Sequence, residues 1–150
     1  MEKIRVYLDN CCFNRPYDNQ TQLKIELETK AKLFIQNLVI KGRIELAWSY
    51  MLDFENSRNT YSQKAMAIQR WQSLSAIDMD ETQEILTVSS EIQSTGIKPA
   101  DSLHIACAIC EDCDYFISTD TRVLKYSNDK IIICDPVKFL RLWEDMSDDE

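Results

Sequence analysis

The feature of this sequence that most constrains its fold is the alternation of short apolar runs with longer segments whose apolar residues recur at a helical period. The short runs predict five strands, the third of them weak, at 4–8, 44–48, 75–79, 115–118 and 131–134. The longer segments predict helices at 23–38, 50–58, 61–74, between 80 and 96, at 99–111 and at 136–143. Because strands that alternate with helices are joined by crossovers, they lie parallel. The sequence therefore predicts an α/β fold, a three-layer sandwich with a mainly parallel sheet.

The ends of the predicted helices carry recognisable signals. The longest helix has an apolar stripe at the 3.6-residue period, formed by Leu23, Leu27, Ala31, Phe34 and Leu38. Gly42 and Gly96 offer C-terminal stops, since glycine readily adopts the left-handed conformation found there. Asp80 with Gln83 resembles a capping box that opens the helix before Gly96.

Length and composition bound the class of protein. A chain of 150 residues suits one domain, which we predict over 1–143. Residues 144–150 hold five acids and no base, and predict a solvated acidic tail. No apolar run approaches ~18 residues and no signal peptide is evident, so we expect a cytoplasmic protein without a membrane span. The six cysteines are interpreted as reduced, and mostly as buried small hydrophobes.

The net charge of −8 does not decide whether nucleic acid is a partner. Binding phosphates requires Lys and Arg, so an acidic chain is a poor candidate on total charge alone. Without the acidic tail and the four acids assigned below to a metal site, however, acidic and basic residues nearly balance. Charge therefore neither supports nor excludes RNA.

Four acids from distant segments are predicted to meet at one edge of the sheet, the edge formed by the carboxyl ends of the strands. Asp9 directly follows the first strand, and Asp120 lies just past the fourth. Asp101 falls in the first turn of a helix, and helices of βαβ units begin at this edge. Glu55 lies six residues after Ser49, the expected N-cap of the helix near 50–58.

Such a cluster of carboxylates needs compensation. Two carboxylates about 4 Å apart repel by roughly 4 kcal/mol at an effective dielectric of about 20. Either some of them hold protons or a cation neutralises them. Oxygen ligands favour Mg²⁺ or Mn²⁺, which make a bound water more acidic and stabilise charge on a phosphate. The chemistry that fits is hydrolysis of a phosphodiester.

Four motifs in order along the chain carry a resemblance to a known family. They read VYLDN at 6–10, SYMLDFE at 49–55, PADSLHIA at 99–106 and FISTD at 116–120. This pattern resembles the PIN-domain nucleases, which include the toxins of VapBC-type toxin–antitoxin pairs. The resemblance implies a PIN-like domain with strand order 3-2-1-4-5 and an Mg²⁺- or Mn²⁺-dependent endoribonuclease. It also implies that the catalytic, metal-binding acids are Asp9, Glu55, Asp101 and Asp120.

The same resemblance implies further site residues and a partner. Thr119, or less directly Ser118, would help to shape the site. The middle motif also contains Asp53, but residues two apart on a helix point in different directions. Glu55 is preferred, because its spacing from Ser49 matches the family. The opening segment CCFNRPYD at 11–18 departs from the common toxin form, which suggests a distinct subgroup with a less certain antitoxin.

Several other residues have both a functional and a structural interpretation. Asn10 either binds substrate or water or serves as a turn residue. His104 could be a general base, but a packed histidine with a satisfied ring nitrogen is favoured. The cysteines at 107, 110 and 113 have an iron–sulfur-like spacing, with buried packing favoured. Basic residues near the site either hold RNA phosphates or form ordinary surface: Arg15, Lys98, Arg122 and Lys125.

Partners and rival functions complete the hypothesis. The apolar faces of 23–38 and 61–74 exceed what one small sheet covers, which predicts a homodimer or an antitoxin helix. One rival function is a non-catalytic PIN-type binding module. Another is a receiver-like phosphoacceptor domain, but no mid-chain acceptor Asp at a strand end and no late Lys at a strand edge are evident.

Overall fold

The computed structural model of the protein describes residues 3–148. Its sheet has five strands, all parallel, in the order β3-β2-β1-β4-β5. The strands are β1 Arg5–Leu8, β2 Glu45–Ser49, β3 Ile77–Met79, β4 Tyr115–Ile117 and β5 Ile132–Cys134. The predicted α/β class and strand order are therefore confirmed, and the predicted weak strand forms one edge of the sheet.

Helices cover both faces of this sheet. They are α1 Asn10–Asn14, α2 Leu23–Ile40, α3 Tyr50–Ser57, α4 Ser62–Gln69, α5 Gln83–Gln93, α6 Pro99–Cys110, α7 Thr121–Leu124 and α8 Pro136–Asp148. Short 3-10 turns follow α1 at Arg15–Tyr17 and α4 at Arg70–Leu74. Helices α5 and α6 pack together, as do α2 and α8, which completes the three-layer sandwich. No helix within residues 3–148 has both the length and the apolar character needed to cross a lipid bilayer.

Strand β1 lies at the centre of the core. Its residues Val6, Tyr7 and Leu8 are fully buried, and Val6 is in register with Leu46 of β2 and Tyr115 of β4. A strand covered by helices on both faces has no solvent side, which explains its unbroken apolar run. The site is thereby anchored to the buried centre of the fold, because Asp9 follows β1 without an intervening residue.

The apolar stripe of α2 is only partly buried. Ala31 and Leu38 face the core, but Leu23, Leu27 and Phe34 are about half exposed or more. The buried face of the helix carries polar residues in their place: Glu28, Thr29, Lys32 and Gln36. Two of these polar residues have partners: Glu28 pairs with Arg15, and the Lys32 ammonium lies 5.6 Å from the centroid of the Phe13 ring.

Three predicted boundaries are wrong. Helix α4 ends at Gln69 and continues only as the 3-10 turn to Leu74. The N-cap of α5 is Thr82 rather than Asp80, and its hydroxyl accepts a hydrogen bond from the Ile85 N–H at 3.1 Å. Helix α8 runs to Asp148, five residues past the predicted end, so most of the predicted acidic tail is helical and residues 149–150 lie outside the described chain.

The predicted stops at the two glycines are confirmed. Gly42 has a φ of 71° two residues after the end of α2, and Gly96 has a φ of 108° after α5. A side chain at either position would be strained, because L-residues rarely adopt these angles.

Candidate active site

Asp9 occupies the carboxyl end of β1 and caps the N-terminus of α1. Its side chain is held by two donors: Oδ1 accepts from the Asn10 N–H at 2.8 Å, and Oδ2 accepts from the Ser118 hydroxyl at 3.0 Å. The residue is only 7% exposed. Both carboxyl oxygens of this buried side chain are therefore satisfied by hydrogen bonds.

Ser118 joins Asp9 to Asp120. While its hydroxyl donates to Asp9, the same oxygen accepts from the Asp120 N–H at 3.1 Å. Asp120 caps α7, with Oδ1 accepting from the Arg122 N–H at 2.9 Å. Thr119 instead donates its N–H to the Cys11 sulfur at 3.3 Å. The predicted preference for Thr119 over Ser118 is thus reversed: Ser118 makes the side-chain contact that orients the acids.

Asp101 lies in the first turn of α6 and is half-buried. Burial raises the pKa of Asp101 above its ordinary value, and the negative charges of Asp9, Asp120 and Glu55 raise it further. His104 acts in the opposite direction. Asp101 is therefore within electrostatic range of the other three predicted acids at this edge of the sheet.

Glu55 is held by a buried chain of hydrogen bonds that runs back into the core. Its Oε1 lies 2.6 Å from Nε2 of His104, and Nδ1 of His104 lies 2.6 Å from the Tyr7 hydroxyl. The Tyr7 hydroxyl in turn lies 2.7 Å from the hydroxyl of Ser49, which accepts the Met51 N–H as the cap of α3. The chain therefore links strands β1 and β2 to the candidate metal ligand.

The state of His104 follows from its partners. Burial lowers the pKa of His104, but the hydrogen bond to Glu55 and the charges of Asp9 and Asp101 outweigh burial and raise it. Whether the ring is neutral or protonated, its Nε2 carries the hydrogen in this bond, because the Glu55 carboxylate can only accept. Because both ring nitrogens are engaged and the residue is 1% exposed, His104 positions Glu55 rather than acting on substrate.

This chain is the part of the site that sequence reasoning missed. Two signals were available: the histidine lies one turn after Asp101, and Ser49 is the cap of the helix that carries Glu55. The participation of Tyr7 had no local signal, because only the packing of β1 under α6 brings its hydroxyl to the imidazole. Asp53, the other acid of the middle motif, accepts hydrogen bonds from Trp48 and Gln69 rather than from His104.

The donor set suits a hard divalent cation. Among residues 3–148, no three His, Cys, Asp or Glu side chains stand close enough to form a ready-made chelate. Mg²⁺ does not require one, because it is usually bound by one or two carboxylates together with waters and phosphate oxygens. Zn²⁺, which prefers His and Cys ligands in a closed site, fits these four oxygen donors poorly. The residues present therefore match Mg²⁺ or Mn²⁺.

The predicted basic residues divide into two groups. Arg15 is committed to the protein: its guanidinium bonds Glu28 at 2.9 and 3.0 Å and Asp18 at 3.0 Å. It is therefore not free to hold phosphate, and its predicted role in substrate binding is corrected to a structural one. Lys98, Arg122 and Lys125 are exposed beside Asp101 and Asp120 in the sequence.

The cysteine run has the features of packing. Cys107 and Cys113 are buried, whereas Cys110 is partly exposed. Burial raises the pKa of the Cys107 thiol to about 12. Thiols in this state are poor nucleophiles and poor metal ligands at neutral pH.

Similarity to known proteins agrees with the geometry. A PIN-domain family model matches residues 6–128. One solved structure of similar fold is DNA-bound VapBC from Salmonella typhimurium, with a TM-score of 0.57 and 13% identity over 89% of this chain and 98% of the other. Another is VapBC2 from Rickettsia felis bound to a DNA fragment from their promoter, with a TM-score of 0.54 and 14% identity over 87% of this chain and 97% of the other. No curated protein matches the sequence.

At such low identities, likeness to solved structures establishes the fold alone. The family match is broader, since it spans most of the chain and includes β1, the segment carrying Glu55, α6 and Asp120. The chain therefore belongs to the PIN-domain family, whose members are generally nucleases that use divalent metal ions.

Proposed function

We propose that this protein is an Mg²⁺- or Mn²⁺-dependent endoribonuclease that hydrolyses RNA phosphodiesters. The observation that carries the proposal is the convergence of Asp9, Glu55, Asp101 and Asp120 at one edge of the sheet, seen in the electrostatic coupling of Asp101 to the other three. The negative charges of Asp9, Asp120 and Glu55 each raise the energy of ionised Asp101. A divalent cation removes that cost and explains the arrangement.

In this proposal the ion is held by one or two of the four carboxylates, and the others bind its waters. When bound, the ion makes a water more acidic and neutralises charge that develops on the phosphate. The chain supplies the alignment: Ser118 fixes Asp9 and Asp120 relative to each other, and His104 fixes Glu55. Preorganised ligands of this kind avoid reorganisation during the reaction.

Substrate contacts are assigned to residues around the carboxylates. Exposed Arg122, Lys98 and Lys125 hold RNA phosphates by charge, without reading sequence. Asn10 Oδ1 is buried and has no hydrogen-bond partner within the described residues, so it offers an acceptor to substrate or water. RNA as substrate places the activity in the cytoplasm.

We further infer that the protein is the toxin of a toxin–antitoxin pair. Both solved relatives described above are VapBC assemblies. Helix α2 also exposes Leu23, Leu27 and Phe34 on one face, and we assign this apolar stripe to an antitoxin helix. Co-purification with the product of a short adjacent gene tests the assignment, and a Phe34→Asp variant that retains its partner would contradict it. Light scattering of the chain alone at micromolar concentration tests for a homodimer.

The central experiment is RNA cleavage. A pool of structured and unstructured RNAs is incubated with Mn²⁺ and either the wild type or Asp9→Asn, with EDTA as a further control. We expect cleavage by the wild type only, abolished by EDTA. Equal cleavage by both proteins would mean a contaminating nuclease or a wrong site. Binding of RNA without cleavage in any divalent ion would favour the non-catalytic module instead.

A further inference from the structure

A polar pocket of about 290 Å³ lies beside the carboxylate site, between α1 and the connection from α3 to α4. Its lining includes Asn10, Asn14, Arg58, Asn59, Tyr61 and Lys64, and it reaches Glu55. Asn10 follows Asp9 directly, and Glu55 is shared with the candidate metal site. Any ligand in this pocket therefore adjoins the reacting centre.

Two cations line the pocket without a carboxylate partner. The Arg58 guanidinium lies 4.6 Å from the centroid of the Phe54 ring, and the Lys64 ammonium lies 5.0 Å from that of the Tyr17 ring. Neither forms an ion pair within residues 3–148. Cation–π contacts orient these side chains but leave their N–H groups free to donate. Two positively charged side chains on a pocket beside an acidic site suit an anionic ligand such as a phosphate.

The pocket also offers an aromatic face. Tyr61 is 70% exposed, and its N–H donates to Asn59 Oδ1 at 3.2 Å, which stabilises the turn that presents the ring. Exposed aromatic rings beside basic groups are the usual platform for unpaired bases. Asn10 adds the buried acceptor Oδ1, which has no partner in the described chain. A nucleotide matches these features of the pocket, because it has an anionic phosphate for the cations, a base that can stack on Tyr61 and donors for the acceptor Oδ1.

The size of the pocket limits which ligands fit into it. Its volume is at the lower end of small-molecule sites, about 300 Å³. It suits one nucleotide of a single strand, since the bases of a duplex are stacked on one another and cannot turn a face to Tyr61. A protein segment would leave the two cations unpaired unless it placed an acid here.

We propose that this pocket binds the nucleotide next to the scissile phosphate of a single-stranded RNA. Arg58 and Lys64 hold its phosphate, Tyr61 stacks on its base, and Asn10 accepts from a base or ribose donor. The inference rests on the proposed function for the identity of the substrate, and it adds a site that favours unpaired RNA.

Binding of a fluorescent single-stranded RNA, measured by anisotropy with Mn²⁺ present, tests the proposal. Every protein also carries Asp101→Asn, which keeps the RNA intact. Tyr61→Ala is expected to weaken affinity about tenfold. Lys64→Ala is expected to lower the slope of log affinity against log salt by about 0.7. The matched control is Lys41→Ala at the far end of α2, which should bind like the parent, and a hairpin duplex of the same length should bind more weakly than the single strand.

The outcomes separate this proposal from the proposed function. Unchanged affinity in both pocket variants, or no binding by the parent, would overturn the pocket whether or not the wild type cleaves RNA. Loss of affinity in the variants, with no cleavage by the wild type in any divalent ion, would support the pocket and contradict the nuclease. If the variants lose an antitoxin partner and keep their RNA affinity, the pocket is a protein-binding site and the proposal is wrong. Tyr61 is exposed, so melting curves should show the variant folded.

Discussion

Acidic side chains at the two edges of the same sheet have opposite environments. At the carboxyl edge, Asp9 and Asp120 accept hydrogen bonds, and Asp101 remains half open to solvent. At the amino edge, Glu111 is fully buried just after α6, and neither of its carboxyl oxygens has a hydrogen-bond partner within the described residues. Its neighbour Arg5 donates to the main-chain oxygen of Glu111 rather than to its carboxyl group.

The missing partners affect the protonation of Glu111. Burial and the negative charge of Asp78 together raise the pKa of Glu111 to about 9, and Arg5 only partly offsets this rise. Glu111 is therefore neutral at pH 7. At the carboxyl edge, by contrast, hydrogen-bond donors contact the carboxyl groups of Asp9 and Asp120. A buried acid alone does not indicate a functional site: donors and an opening to solvent distinguish the edge that can bind a cation.

The largest expected effect compares the two edges directly. Asp101→Asn removes a candidate ligand with little change in volume and should lower Mn²⁺-dependent RNA cleavage by about 10³-fold, as loss of a preorganised electrostatic group does. The matched control is Asp114→Asn at the amino edge, where an amide oxygen can still accept from the Arg5 N–H. Initial cleavage rates and melting temperatures of both variants check this, and equal loss of activity would contradict the distinction between the edges.

Glu111 should control stability rather than activity. The folded protein keeps a proton that the unfolded chain releases above about pH 4.5, so this group's contribution is greatest at low pH and is lost as pH rises toward 9. Relative to the wild type, Glu111→Gln should gain about 5 kcal/mol in free energy of unfolding between pH 5 and pH 9. Urea titrations across this range measure it. A constant difference between the two proteins would show that Glu111 is ionised when folded.

Loss of His104, which holds Glu55 in place, should have an intermediate effect. Removing a group that orients a metal ligand typically costs 10–100-fold in metal affinity or activity. His104→Ala should therefore raise the Mn²⁺ concentration needed for half-maximal cleavage by about 10-fold or more. His104→Gln, whose amide can still donate to Glu55, should fall closer to the wild type. If both variants fold and need the same Mn²⁺ concentration as the wild type, His104 has only a packing role.

The smallest effect is expected from the exposed surface beside the carboxyl edge. Arg122→Ala should raise the KM for RNA by about threefold with little change in kcat, because one exposed phosphate contact contributes modest, salt-dependent affinity. Steady-state kinetics at two salt concentrations check this, and the difference should shrink at high salt. A large fall in kcat would instead place Arg122 among the catalytic groups.

The sequence predicted those parts of the molecule that depend on local pattern and chain order. Strand β1, the parallel sheet and the edge at which Asp9, Asp101 and Asp120 meet all follow from apolar periodicity and helix starts. The buried face of α2 could not be predicted this way. The helix buries Ile35 and Val39 rather than Leu27 and Phe34, and its buried Glu28 pairs with Arg15, a tertiary contact that the sequence pattern does not show.

Hydrogen-bond partners across the sheet could not be predicted from the sequence either. The hydrogen-bonded link from Glu55 through His104 to Tyr7 joins residues far apart in the chain. Ser118 was placed second to Thr119 for the same reason: its contact with Asp9 spans two neighbouring strands. Charge and capping motifs indicate where acids gather, whereas packing decides which polar neighbours hold them in place.

A crystal of the protein soaked in Mn²⁺ and measured at the manganese absorption edge tests the shared metal site most directly. We expect an anomalous peak at the carboxyl edge, about 2.1 Å from oxygens of one or two of the four acids. A well-diffracting crystal at saturating Mn²⁺ with no peak there, or with its only peak elsewhere, would mean that these side chains do not serve a common cation.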